Sequence, residues 1–150
     1  MKSTTSVSLR YGLIIAAALI AYFLILRLFG LHMNPWFRMF NGVIMAVGLY
    51  KSIKFFKDQN ESFNYTNGFV TGLLSGFLAT LVFTVFMGIY LFHIDVDFMD
   101  HLLKNWVHKT NYGGGILIFI ILIEGLSSTT VLTLTFMQLF KKSNKISQKA

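Results

Sequence analysis

Glu124 is the one acidic residue that falls inside an apolar stretch of this chain, about nine residues, or roughly 13 Å of helix, beyond Gly115. An unpaired carboxylate at that depth in hydrocarbon costs about 2.5–3.5 kcal/mol. Glu124 is therefore expected to be protonated, paired, or turned to a hydrated cavity. Ser127 and Ser128, three and four residues on, share its helical face, and Thr130 and Thr135 continue a polar stripe. Arg27 and Arg38 both sit near the outer ends of their own apolar stretches and are the cations most able to reach it. Two roles fit this set: a structural ion pair, or a proton or substrate site.

A second cluster, His93, Asp97, Asp100 and His101, would fall on one side of a continuous helix. It matches no zinc or calcium signature, so no metal site is predicted there. His32, His101 and His108 have no nucleophile at a catalytic spacing, and no phosphate-binding loop, nucleophile elbow or His-Glu-x-x-His motif occurs. The chain has no cysteine, which removes disulfides and thiolate chemistry. The reading is non-enzymatic and without a cofactor.

The elements that must carry these residues are long and apolar. At 55% hydrophobic and 13% charged, with 16 Phe, the chain is too apolar for an ordinary soluble domain. Four stretches, about 11–29, 35–56, 68–92 and 115–140, each approach or exceed the ~20 residues that cross a bilayer. The prediction is an all-α polytopic membrane protein, a single domain over 1–150 with four transmembrane helices. The first stretch runs past Ala16-Ala17-Ala18 without a cleavage site, so it reads as an uncleaved span rather than a signal peptide.

Basic residues set the orientation. Lys2, Arg10, Lys51, Lys54, Lys57, Lys141, Lys142, Lys145 and Lys149 fall on the side of the termini, against Arg27, Arg38, Lys104 and Lys109 opposite. Both termini are predicted to be cytoplasmic, and the +7 net charge is a topology signal that calls for no nucleic acid.

Local signals sharpen the joints. Gly30 ends the first helix, Asn34 caps the second and Pro35 takes its first turn. Between the third and fourth spans, Phe98, Leu102 and Trp106 share a face, which predicts a short interfacial helix with Asp97 as its cap; Gly113-Gly114-Gly115 then permits a turn. The third span carries small residues at every fourth position, Gly68, Gly72, Gly76, Thr80, Thr84 and Gly88, with Ser75 and Ala79 alongside. Such a row lets another helix come close, either within the bundle or in a homo-oligomer.

Together with the hydropathy plan, the joint Glu61-Ser62-Phe63-Asn64-Tyr65-Thr66-Asn67-Gly68-Phe69 and the segment Ile94-Asp95-Val96-Asp97-Phe98-Met99-Asp100 give the chain a likeness. It resembles an uncharacterised bacterial family of small four-span membrane proteins, a domain of unknown function. Where that family often carries Pro, this chain has Val96. The resemblance implies the fold and an integral membrane location, and no activity; the location expected is the bacterial cytoplasmic (inner) membrane. The partners expected are the lipid bilayer and another membrane protein or a second copy. The leading functional reading is an accessory or assembly subunit; the alternative is a small transporter or proton-linked channel using Glu124.

Overall fold

The computed structural model describes residues 3–60, 63–104 and 113–140. Among these the chain is all helix: α1 (Thr4–Leu28), α2 (Pro35–Gln59), α3 (Tyr65–Ile89), a π-helical turn (Tyr90–Ile94), a short α4 (Val96–Leu102) and α5 (Gly115–Phe140). Three helices are long and apolar enough to cross a membrane: Thr4–Leu28, Tyr65–Ile94 and Gly115–Phe140. α2 is equally long, yet Arg38, Lys51, Lys54, Lys57 and Asp58 lower its apolar content, so length and composition alone do not mark it. α1 begins seven residues before the apolar stretch, because Thr4 to Arg10 are all compatible with helix and Ser3 precedes them in extended backbone.

The joints follow their local chemistry. Gly30 adopts φ 69°, which a side chain would resist, and its N–H donates to Arg27 O at 3.0 Å. Asn34 Oδ1 accepts from Trp36 N at 3.1 Å, and Asn64 likewise accepts from Thr66 N at 3.4 Å.

Pairings of side chains define the topology. Ser8 bonds to Thr71 and Phe23 meets Phe86, so α1 and α3 run parallel. Tyr11 meets Phe55 and Tyr22 meets Phe40, so α2 returns antiparallel to α1. Arg38 meets Glu124 and Tyr50 meets Phe136, so α5 runs with α2. The bundle is thus up-down-up-down, with α3 touching α1, α2 and α5.

Burial on α1 recurs every three or four residues, at Val7, Ser8, Gly12, Ile15, Ala16, Leu19, Phe23 and Leu26. The opposite faces carry exposed Leu, Ile, Val and Phe, among them Ile14, Ile25, Val85, Phe119 and Val131. That much contiguous apolar surface fits hydrocarbon as the surrounding solvent.

The small residues of α3 meet a matching row on α5. Gly72 faces Thr133, Gly76 faces Thr129, and Thr80 faces Gly125, so each step of four forward on α3 is a step of four back on α5. A methyl group at Gly72 would come to 2.7 Å from Thr133 Cγ2. At Gly68 the neighbours are Phe63 and Met137, whereas at Gly88 the nearest is Ile118 Cδ1, 3.7 Å away. On its other sides α3 bonds through Ser75 to Ser52 Oγ (2.8 Å) and receives Ser8 Oγ at Thr71 O (3.1 Å).

Overpacking this seam is expected to be selective. Gly76→Leu should destabilise the protein by about 1–3 kcal/mol, while Gly88→Ala should stay within about 0.5 kcal/mol of wild type. Thermal melts in detergent check both.

Candidate functional site

α4 closes one end of the bundle, and its geometry begins at Asp95. The predicted cap, Asp97, lies two residues too late: Asp95 is the N-cap, its Oδ1 accepting from Phe98 N at 3.0 Å, and Asp97 sits inside the first turn. The shift arises because α3 ends in a π-helical turn, where Asp95 N donates to Tyr90 O at 3.0 Å and the backbone leaves the helix at Asp95. The second carboxylate oxygen accepts from Tyr90 Oη at 3.0 Å and lies 3.7 Å from Arg27. Arg27 also stacks over the Tyr90 ring at 4.8 Å.

Arg27 is therefore not the partner of Glu124. That role falls to Arg38, whose guanidinium donates to Glu124 Oε2 at 3.0 Å. The pair is a quarter exposed on the Arg side and 57% exposed on the Glu side. The helical break at Asp95 also removes the continuous helix on which a His93, Asp97, Asp100 and His101 cluster depended; among the described residues no three such side chains converge.

The polar stripe divides rather than extends. Ser128 faces the interior beside Glu124, but Ser127 is exposed, and Thr130 and Thr135 are exposed with their hydroxyls donated back to Leu126 O and Val131 O. The buried threonines of α5 are Thr129 and Thr133, on the seam with α3. Their signal in the sequence was the same four-residue spacing of small side chains, Gly125, Thr129 and Thr133, that stands out on α3.

Phe98 and Leu102 of α4 are buried, and they pack on the bundle with Phe23, Tyr90 and Leu91. Trp106, His108 and the residues to Tyr112 lie outside the described residues. Beneath α4 is a cavity of about 190 Å³. His32, Arg38, Asn41, Thr80, Glu124 and Ser128 supply its polar lining; Leu19, Phe23, Met45, Met87 and Phe98 are among its apolar walls. His32 packs its ring edge-on against Phe98 with centroids 4.8 Å apart. Tyr22 Oη donates to Phe37 O at 3.0 Å and ties α1 to the first turns of α2 beside the cavity. His32, Asn41 and Thr80 were not singled out together in the sequence, because they come from a joint, a mid-helix position and a packing row.

Helices of spanning length, apolar outer surfaces and a mainly apolar cavity with a few polar groups define a membrane-type helical bundle. The chain belongs to the family described as Protein of unknown function (DUF4199), whose family model matches residues 10–114. Arg38, Thr80 and Asp95 lie within that match, and α5 with Glu124 follows it. No curated protein and no solved structure matches the chain.

Removing one member of the Arg38–Glu124 pair should cost more than removing both. In a double-mutant cycle with Arg38→Gln and Glu124→Gln, the coupling energy is expected to exceed the roughly 0.2–1 kcal/mol of water-exposed pairs. Denaturation in detergent or bicelles measures it.

Proposed function

We propose that the chain is a four-span integral membrane protein of the cytoplasmic membrane that works, without chemistry of its own, as an accessory or assembly subunit. The support for α2 as the fourth span is its 25-residue length, equal to that of α1 and α3, and its side-by-side packing with α1, α3 and α5. Its lysines cluster at the end near the start of α1, which supports both termini on the cytoplasmic side. Lys57 there stacks over Phe140 at 5.1 Å and over Phe63 at 6.0 Å, an arrangement suited to a headgroup boundary.

The observation that carries the subunit reading is the exposure of Glu124. α5 is the least buried of the three apolar helices, and the Glu124 side chain is 57% exposed about 13 Å along it. Lipid is a poor neighbour for a carboxylate, even one paired with arginine. Phe119, Ile123, Ser127 and Val131 form an exposed row beside it, with a small residue at the level of Glu124. A transmembrane helix of another protein, laid along this row, would cover the ion pair.

Photo-crosslinking residues placed at Ile123 and Val131 are expected to trap a second membrane protein in intact membranes. Native mass spectrometry after gentle solubilisation should show the same mass. Self-adducts would make the partner a second copy; a solitary monomer without adducts would end the reading.

One observation favours transport instead: Glu124 and Ser128 border the cavity. Against it, Arg38 already occupies the carboxylate, and Thr130 and Thr135 are spent on their own helix. In liposomes, a proton or solute flux that Glu124→Gln abolishes would establish transport; equal flux in both proteins, or none in either, would remove this role for Glu124.

A further inference from the structure

The cavity beneath α4 holds polar atoms that no group among the described residues satisfies. Both ring nitrogens of His32, Asn41 Oδ1 and Thr80 Oγ1 are buried on its lining and have no hydrogen-bond partner among the described residues. Thr80 is only 3% exposed as a whole residue. A helical threonine ordinarily returns its hydroxyl to the carbonyl four residues back, as Thr71 and Thr129 do here at 2.7 and 2.8 Å. Leaving such a group unpaired and buried is costly, and native structures pair nearly all of them. Three separate parts of the chain, the α1–α2 joint, α2 and α3, direct these groups into one space.

Size, charge and polarity narrow what that space would take. A dry cavity of roughly 150 Å³ accommodates benzene, so about 190 Å³ takes one ring with a short substituent. The charged residues on the described lining are Arg38 and Glu124, and they neutralise each other at 3.0 Å, which leaves no charge to balance an ionic ligand. Asn41 Oδ1 asks for a donor, the Thr80 hydroxyl both gives and accepts, and a neutral imidazole presents one donor and one acceptor. A hydroxyl can donate to Asn41 Oδ1 and accept from the Thr80 hydroxyl and from one imidazole N–H. The remaining walls, including Phe23, Met45 and Phe98, are apolar and suit an aromatic ring.

We propose that this cavity is a binding site for a neutral monocyclic phenol or quinol, its hydroxyl satisfied by the unpaired atoms of His32, Asn41 and Thr80. Such molecules partition into bilayers and would reach the site from the lipid. The site does not depend on whether a partner covers α5.

Purified full-length protein in detergent is titrated with 4-ethylphenol and, separately, with ethylbenzene, and melting is followed by intrinsic fluorescence. 4-Ethylphenol is expected to raise the midpoint saturably, with ethylbenzene at least about tenfold weaker. Combining Thr80→Val with Asn41→Leu should erase that preference. Gly42→Leu, at a lining position where an added Cβ meets nothing within 4 Å, is expected to fold and to weaken both compounds. Absence of a saturable shift with 4-ethylphenol, equal shifts with the two compounds, or unchanged 4-ethylphenol binding in Gly42→Leu would each overturn the site, and each can be read even where the double variant fails to fold. A cavity filled only with water gives the first of these results.

Discussion

The close antiparallel approach of α3 and α5 is the contact on which the rest of the bundle depends. Burying apolar side chains gains little between helices already surrounded by hydrocarbon, so association rests on packing and on a few hydrogen bonds. Here Gly72, Gly76 and Gly125 leave no side chain at the contact, and Thr133, Thr129 and Thr80 fill the space from the other helix. A one-residue slip would set threonine against larger side chains. The register therefore allows little play, and it is this register that brings Glu124 level with Arg38 and Gly125 level with Thr80. α1 completes the arrangement from the opposite side, where Gly12 lies against Ser75 and Leu78, and Ser8 reaches Thr71 O.

The seam loosens toward α4. Beyond Thr80, Phe83, Phe86 and Met87 add bulk to α3, and Gly88 meets α5 only at an ordinary contact distance. The cavity opens in this half of the bundle, and α4 closes it. Asp95 holds that closure with one carboxylate: it caps α4, accepts from the buried Tyr90 hydroxyl and draws in Arg27. Among the described residues the two arginines at this end have separate acids, Arg27 with Asp95 and Arg38 with Glu124.

Much of the element plan was legible in the residues. Gly30, Asn34 and Pro35 act through their own backbone chemistry, so the α1–α2 joint matches its reading. α5 starts at Gly115, where the predicted stretch starts, because the glycines before it allow the chain to turn there. The helical spacing points to Asp97 for the α4 cap, two residues late, because the π-helical turn that delivers the chain to Asp95 has no reliable spacing signal. The sequence leaves the cation for Glu124 open between Arg27 and Arg38, since both stand near helix ends and only their neighbours separate them.

Composition and periodicity determined the all-helical class, the apolar lengths, the turn residues and the small-residue row on α3, because each of these follows from a residue and its near neighbours along the chain. Tertiary structure decided which helix the row meets, which arginine takes Glu124, and that His32, Asn41 and Thr80 share a cavity. Those are pairings between residues far apart in sequence, set by the depth and rotation at which whole helices lock together, and no local pattern encodes a relative rotation.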